Sequence, residues 1–411
     1  MKKWISWIAT ALVCVAALLI FALTSDFFSG KDRSGVLKVG FIYSEDESTP
    51  YTYNFIQGEY ALAEKYGSKV DIISMRNVHG GEADEPIRQL VRKGCRIIFT
   101  NLDTDAMPRL AAEYPDVQFC QVSMPTISME GQPENYHTFN GEVYQARYAA
   151  GVIAGMKIRA MIDGSMIRAQ DAKVGYVAAN DSAEVVSGYT AFILGIRSVA
   201  PEAVLRVRYT GSWSNYSLEK EAARELIEEG CIIIAQHTNT MAPAIACEEA
   251  FADGYRVFHV GYHQSMMDVA PSTALVSLRT NWIPYITGAV DAVMNNMKIE
   301  SHVAGHVHGN DISAGFGQGW VQLLEPNKNL MAQGTEERLS RLIDSLGKGK
   351  INVFQGNYIG YPPGDNPENP SRIIDLNLGY IEHEHSSSPT FRYILRDCVI
   401  EENPEILERS N

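Results

Sequence analysis

Short apolar runs alternate with amphipathic stretches along the chain from residue 36 onward. The apolar runs predict strands, and the stretches with helical spacing of apolar residues predict helices. The predicted strands lie at 36–43, 70–74, 96–100 and 117–122, and the predicted helices at 52–66, 86–93 and 107–114. Continuous apolar strands that alternate with helices predict a parallel sheet covered on both faces.

This pattern occurs twice in the chain. Residues 38–41, Lys-Val-Gly-Phe, reappear at 173–176 as Lys-Val-Gly-Tyr. Residues 90–98 are similarly echoed by 226–234, and both segments carry Gly-Cys before an apolar run. The repeat unit is about 135 residues, far longer than the roughly 20–50 residues of solenoid repeats. The sequence therefore predicts a duplicated domain.

Two doubly wound lobes would place the carboxyl ends of their strands face to face, where ligands of open α/β sheets bind. A cleft between them gives a ligand two walls and a hinge. We expect lobe 1 to span 36–141, with about 275–310 returning to it, and lobe 2 to span 142–274, with about 311–379. Residues 380–411 form an extension whose role stays open. A two-domain enzyme with its active site in the cleft is the alternative at this point.

The composition supports a globular protein and argues against some classes of binding partner. The chain has 411 residues, of which 45% are hydrophobic and 20% charged, as in a globular protein with substantial cores. Its 35 basic and 49 acidic residues give a net charge of −14, which argues against nucleic acid or an anionic lipid surface as a partner. A neutral or cationic solute suits that charge.

The N-terminus predicts a membrane anchor. Lys2 and Lys3 precede an uncharged run at 4–24, about 21 residues and long enough to cross a bilayer as a helix. Lysines that precede a membrane helix usually stay on its cytoplasmic side. We therefore expect residues 1–29 to anchor a domain that lies outside the cytoplasm. A cleaved signal peptide and lipidation at Cys14 are alternatives, but the run lacks small residues suited to either processing step.

Cysteines and histidines show no pattern of a metal or cofactor site. Cys95, Cys120 and Cys231 sit in apolar, strand-like runs and are expected to be buried free thiols. The three histidines within 302–308 have no acidic or cysteine ligand at a helpful spacing. His383, in the C-terminal extension, is expected on an exposed face. We therefore expect no metal and no cofactor.

Several short segments, in a constant order from about residue 36 to about residue 360, carry a resemblance. They are 49–58, 114–119, 148–151, 211–215 with 219–223, 230–240, and Asn281-Trp282. Together they resemble the basic membrane protein family, the PnrA-like substrate-binding proteins of ABC transporters. The resemblance implies a type I periplasmic-binding-protein fold, a purine nucleoside or nucleobase as ligand, and delivery to an ABC permease. Asn215 and Asn239 depart from it, because many members carry Asp there, and the lipoprotein signal is missing.

A purine has two flat faces and an edge of mixed donors and acceptors. Tyr51 lies just past the first strand and Trp213 just past a predicted strand at 204–209, so one ring from each lobe could sandwich a base. Stacking of a base on an aromatic ring contributes about 1–3 kcal/mol. The alternative for both rings is packing against a neighbouring loop.

Polar candidates for the edge of the base follow other strands. Asp103 and Asn239 occupy matching loops in the two lobes, although either could instead cap a helix. Asp268 is a candidate for ribose hydroxyls or a base nitrogen, or else a solvated loop carboxylate. Asn215 is a further ligand-binding candidate, because the resemblance places it where many family members carry Asp. Trp282 stands at the start of an apolar helix, where the resemblance implies a hinge. It is either a residue of the hydrophobic core or a ligand contact.

Gly58 and Gly195 lie inside helices at corresponding points of the two lobes. A glycine in a helix costs about 1 kcal/mol relative to alanine. We therefore expect both to allow close packing of their helices onto the sheet.

The sequence thus predicts a membrane-tethered binding protein, not an enzyme, that closes around a purine nucleoside or nucleobase for an ABC permease. A ligand-sensing ectodomain read by a membrane partner is the second hypothesis. A nucleoside hydrolase with dispersed cleft residues is the third.

Overall fold

The computed structural model describes residues 35–124 and 128–402. The predicted anchor at 1–29, and the alternative of lipidation at Cys14, lie outside these residues and stay predictions. Among the described helices, none is long and apolar enough to cross a membrane.

The first part of the chain alternates strands and helices as predicted. It contains β1 (Leu37–Ile42), α1 (Pro50–Tyr66), β2 (Val70–Met75), α2 (Asp84–Arg92), β3 (Ile97–Thr100), α3 (Ala106–Glu113), β4 (Gln118–Val122) and β5 (Tyr136–Gly141). The second part repeats this order with α4 (Val143–Asp163), β6 (Lys173–Ala178), α5 (Ala183–Arg197), β7 (Val204–Tyr209), α6 (Tyr216–Glu228), β8 (Ile233–His237), α7 (Ala242–Ala252), β9 (Phe258–Tyr262) and β10 (Ala274–Thr280). The remainder comprises α8 (Ile283–Met294), α9 (Ile299–His302), β11 (His306–His308), β12 (Asp311–Ala314), β13 (Val321–Leu323), α10 (Thr335–Gly347), β14 (Ile359–Tyr361), β15 (Ile374–Asp375), β16 (Ile394–Leu395) and β17 (Val399–Glu402).

The strands form two seven-stranded sheets, one in each lobe. Their orders are β11-β12-β5-β4-β3-β1-β2 and β13-β10-β9-β8-β6-β7-β17. The five repeated strands of each lobe are parallel and follow one order, β2-β1-β3-β4-β5 in lobe 1 and β7-β6-β8-β9-β10 in lobe 2. A shared order of this length agrees with the duplication read from the sequence.

Three neighbouring segments cross between the lobes and form the hinge. They connect β5 to α4, β10 to α8, and β12 to β13. Two of them are tied together, because the backbone N–H of Asn281 donates to the carbonyl of Trp320 at 2.6 Å and its side chain donates to that of Gly319 at 2.8 Å. The crossings differ by a few residues from the expected boundaries: all of β10 lies in the second sheet, and all of β12 lies in the first.

Gly58 and Gly195 each bring two helices together rather than a helix and the sheet. A Cβ atom on Gly195 would lie closer than 3.0 Å to the carbonyl oxygen of Tyr148 in α4, and one on Gly151 equally close to that of Phe192 in α5. In lobe 1, a Cβ atom on Gly58 would meet the end of the Ile286 side chain in α8. The prediction that these glycines serve packing onto the sheet is therefore wrong.

Residues 380–402 of the C-terminal extension are part of the folded structure. Its strand β16 joins β14 and β15 in a small third sheet, and its strand β17 pairs in parallel with β7 at the edge of the lobe 2 sheet. His383 is buried, with 5% of its surface exposed, and its ring stacks on Tyr144 with centroids 5.7 Å apart. The expectation of an exposed His383 is wrong, since the extension folds back onto the hinge.

All the cysteines of the described residues are buried free thiols, as predicted for the three in strand-like runs. They are Cys95, Cys120, Cys231, Cys247 and Cys398. Burial raises the pKa of each thiol, so none is a ready nucleophile or metal ligand.

Candidate functional site

A cavity of about 650 Å³ lies between the lobes at the carboxyl ends of both sheets. Lobe 1 contributes Ser44, Glu45, Tyr51, Val78, His79, Gly80, Asn101, Leu102, Asp103, Val122, Met124 and Asn140. Lobe 2 contributes Glu184, Ser212, Trp213, Ser214, Asn239, Tyr262, His263 and Thr280, and Trp282 lies where the chain returns to lobe 1. Its size is that of pockets for small molecules.

Aromatic rings from both lobes line this cavity. Tyr51 stands in the first turn of α1, which begins at Pro50, and its ring centroid lies 5.2 Å from that of His263 in lobe 2. Trp213 lies in the loop after β7, with 37% of its surface exposed, and its ring lies 6.0 Å from that of His237. The two predicted stacking residues therefore face one space from opposite lobes, and the lobes already touch across it.

Asn239 and His263 form a fixed polar pair in lobe 2. The backbone N–H of Asn239 donates to the carbonyl of Trp213 at 2.8 Å, and its side-chain oxygen lies 3.1 Å from Nε2 of His263. Since an amide oxygen only accepts, Nε2 of His263 carries the proton. Burial lowers the pKa of His263 well below its usual value, so the ring is neutral and Nδ1 is an acceptor.

In lobe 1, Asn101 lines the cavity and carries a buried donor. It directly follows β3 and is 3% exposed, and its side-chain oxygen accepts from the backbone N–H of Ser44 at 3.0 Å. This bond sets the orientation of the amide, and the Nδ2 atom has no hydrogen-bond partner within the described chain. A buried polar atom without a partner is costly, so a bound molecule is a natural acceptor for it.

Trp282 is both core and cavity wall. It is 4% exposed and packs on Phe55 of α1 with ring centroids 5.4 Å apart. Its Nε1–H group, like Nδ2 of Asn101, finds no acceptor in the described part of the chain. Trp282 therefore belongs to the core, and its contact with a ligand stays a prediction.

Two predicted site residues lie elsewhere. Asn215 caps α6, since its side-chain oxygen accepts from the backbone N–H of Leu218 at 3.1 Å while Glu219 accepts from the N–H of Asn215 at 3.1 Å. Asp268 is exposed in the turn that follows Met266 and does not line the cavity. We leave both out of the proposed site. Asp103 does line it, beside Gly80.

Glu184 is a site residue that the sequence reasoning missed. It lies in the first turn of α5, with 29% of its side chain exposed, and Oε1 lies 3.7 Å from Nε2 of the buried His237. Burial raises the pKa of this carboxyl, and the guanidinium of Arg147 partly opposes that effect. The repeat could have pointed to it, because α5 follows β6 in lobe 2 as α1, with Tyr51, follows β1 in lobe 1.

Arg147 is a fully buried cation behind the cavity wall. Its Nη1 donates to the carbonyl of Gln236 at 2.7 Å, and its guanidinium lies 4.0 Å from the ring centroid of Tyr262. Together with burial it lowers the pKa of His237 well below the usual value. The histidines beneath the cavity are thus neutral and act as hydrogen-bonding groups rather than as charges.

Comparison with known proteins agrees with this architecture. Residues 36–351 match the family described as ABC transporter substrate-binding protein PnrA-like. A purine-binding protein of Brucella abortus is 30% identical over 330 residues, which cover 78% of this chain and 83% of that protein. A putative ABC transporter glucose-binding protein of Haloferax volcanii is 32% identical over 181 residues, 44% of this chain and 41% of that protein.

Solved structures share the fold. A solute-binding protein of an ABC transporter system from Conexibacter woesei has a TM-score of 0.60 at 17% identity, covering 77% of this chain and 98% of that one. A transcriptional activator of the comK gene from Bacillus halodurans has a TM-score of 0.59 at 20% identity, covering 76% and 99%. The two parallel-sheet lobes are therefore those of the periplasmic-binding-protein fold. Since the family match spans both lobes and the hinge, the chain belongs to the PnrA-like substrate-binding proteins of ABC transporters.

Proposed function

We propose that this protein captures a purine nucleoside or nucleobase between its lobes and delivers it to an ABC permease, without acting as an enzyme. The observation that carries the proposal is the cavity, where Tyr51 and Trp213 face one space from opposite lobes beside unpartnered polar atoms. Flat rings suit the faces of a base, and the polar atoms suit its edge. The purine-binding relative supports the ligand class. We place the binding domain outside the cytoplasm, held by the predicted helix at 1–29.

The charge of the cavity predicts which purines are rejected. Its carboxyl-bearing lining residues, within the described chain, are Glu45, Asp103 and Glu184, and no lysine or arginine lines the cavity there. A phosphate group would meet like charge without a cation to pair with. We expect adenosine monophosphate to bind roughly tenfold more weakly than adenosine, or not at all, in isothermal titration calorimetry. Equal affinities would contradict this account of the cavity.

A ligand screen tests the proposal as a whole. A ligand that binds only the folded state raises the melting temperature, so the full chain in detergent is screened against adenine, guanosine, hypoxanthine and glucose. Stabilisation by a purine and not by glucose is the expected result. Stabilisation by glucose alone would favour the class named for the Haloferax volcanii relative, and release of ribose from a nucleoside would reveal a hydrolase instead.

Transport and sensing require a different test. Both functions use the same closure, and they differ in the membrane partner that recognises it. Capture of an ABC permease from membranes in the presence of the bound purine would support transport. Capture of a kinase or chemoreceptor would support the ligand-sensing ectodomain.

A further inference from the structure

The two walls of the cavity present different chemistry in the atoms that lack partners. On lobe 1 these are donors, Nδ2 of Asn101 and Nε1 of Trp282. On lobe 2 they include an acceptor, Nδ1 of the neutral His263, and the Ser214 hydroxyl, which can donate or accept; neither has a partner within the described residues. A ligand with acceptors toward lobe 1 and donors toward lobe 2 satisfies both walls.

Glu184 adds a stronger acceptor to the lobe 2 wall. Its Oε1 is 3.7 Å from Nε2 of His237, beyond hydrogen-bond distance, so this neighbour does not occupy it. That Nε2 atom is itself without a hydrogen-bond partner in the described chain. Whether ionised or protonated, a carboxyl group keeps an oxygen that accepts. Glu184 can therefore receive a donor group of a bound molecule.

We propose that Glu184 selects purines that carry an exocyclic amino group, by accepting a hydrogen bond from that group while Asn101 donates to a ring nitrogen or carbonyl. The inference rests on the proposed function, since it names the purines that the same site prefers. Because the two residues belong to different lobes, such a ligand links the lobes and favours closure. A site built around a donor discriminates well against analogues without it.

The test compares adenine with 6-methylpurine, in which a methyl group replaces the amino group. In calorimetry on the full chain, we expect adenine to bind at least about tenfold more tightly, because 6-methylpurine has no donor for the Glu184 oxygen and leaves it unpaired. In Glu184→Ala, which removes the acceptor, adenine should lose roughly tenfold while 6-methylpurine changes less than about twofold. The matched control is Glu221→Ala, at an exposed carboxylate on α6 of the same lobe, which should leave both affinities unchanged.

Each other outcome has a definite meaning. If the wild-type protein binds no purine, the proposed function fails. If it binds adenine and 6-methylpurine equally, or if Glu184→Ala weakens both equally, the role of Glu184 fails while the proposed function stands. The same holds if Glu45→Ala, in lobe 1, removes the preference for adenine. If Glu184→Ala does not fold, Glu184→Asp, which moves the carboxylate back, replaces it with the same expected loss.

A second inference concerns the C-terminal extension, which lies beyond the family match at residue 351. Residues 382–391, which we name the hinge loop, are anchored in lobe 2. The carboxylate of Glu382 accepts from the backbone N–H groups of Thr390 and Phe391 and closes the loop, and the ring of Phe391 stacks on Phe354 at 4.6 Å. Arg392 then pairs with Asp181 of lobe 2.

The tip of the hinge loop binds lobe 1. Oδ2 of Asp311, in β12, accepts from the backbone N–H of Ser387 at 2.6 Å and from the hydroxyl of Ser386 at 3.2 Å. Its other oxygen accepts from Thr138 of β5 at 2.7 Å, which holds the carboxylate in place. Since Asp311 is three residues before the hinge crossing after Ala314, it lies about 10 Å from that pivot at the usual rise per strand residue.

We infer that the hinge loop is a fourth link between the lobes and stabilises the arrangement in which they touch. A rotation about the crossings would move Asp311 relative to a loop held on lobe 2, and both hydrogen bonds to the loop would break. Opening therefore carries a cost that the three crossings alone do not impose. The loop shifts the population toward the closed form before ligand binds.

Spin labels on the two lobes test this link without a ligand. Labels at Glu64→Cys in lobe 1 and Glu221→Cys in lobe 2, with Cys14→Ser as background, give the distance between the lobes by electron paramagnetic resonance. We expect Asp311→Asn or Ser386→Ala to shift the distribution to longer distances, whereas Asp116→Asn, an exposed lobe 1 control, leaves it unchanged. If the distance distribution is unchanged in both Asp311→Asn and Ser386→Ala, the inference is wrong.

Discussion

Gly195→Ala is expected to lower the free energy of unfolding by about 2–3 kcal/mol, at the upper end of overpacking effects. Alanine is the better helix former, so propensity alone would favour the change by up to about 1 kcal/mol. The added methyl group, however, would lie closer than 3.0 Å to the carbonyl oxygen of Tyr148. A backbone atom of a packed helix cannot rotate away, so α4 and α5 would have to move apart.

The matched control for this prediction is Gly58→Ala in lobe 1. There the added methyl group meets the end of the Ile286 side chain, which can change rotamer. Urea denaturation, followed by circular dichroism, should show a much lower midpoint for Gly195→Ala and a smaller change for Gly58→Ala. Equal destabilisation by the two substitutions would mean that the backbone contact between α4 and α5 is not what requires the glycine.

Trp213→Ala is expected to weaken purine binding by about 1–3 kcal/mol, the range for loss of one stacked base. The fold should remain intact, because the side chain is 37% exposed and lies on a loop. The backbone carbonyl that accepts from Asn239 is kept in alanine. Calorimetry with adenine measures the loss, and a melting curve without ligand confirms that stability is unchanged.

Tyr216→Ala supplies a control of the same kind. Tyr216 is an aromatic residue that is 47% exposed, three positions further along the chain, and does not line the cavity. Its removal should leave adenine affinity unchanged. If both variants bind adenine as the wild-type protein does, Trp213 is a surface ring rather than a stacking partner, and the proposed sandwich loses its lobe 2 face.

The residues that the sequence located well are those whose position follows from strand ends. In a parallel sheet the residue after a strand lies at the carboxyl edge, wherever the strand stands in the sheet order. Tyr51, Trp213, Asn239 and Asp103 all satisfy this rule, and all line the cavity. That each of them contacts a ligand stays a prediction, which Trp213→Ala tests for Trp213.

The rule fails where a local hydrogen bond takes the side chain away. Asn215 also follows a strand, but a short polar side chain before a helix competes for the free N–H groups of the first turn, and here it caps α6. Asp268 is closer to the end of β9 than Tyr51 is to the end of β1, yet the turn that holds Asp268 carries it into solvent. Sequence spacing alone does not distinguish a capping or solvated group from a ligand-binding one.

The chain by itself determined the two lobes, the repeated order of strands and helices, and the sheet edges at which the cavity lies, because these follow from local periodicity and from the duplication. Only the tertiary structure decided which groups meet at that edge. Glu184, His237 and Arg147 come from separate elements of lobe 2, and the hinge loop reaches Asp311 across some 75 residues of sequence. Such contacts depend on how packed elements are oriented in space, and no short-range pattern of residues records that orientation.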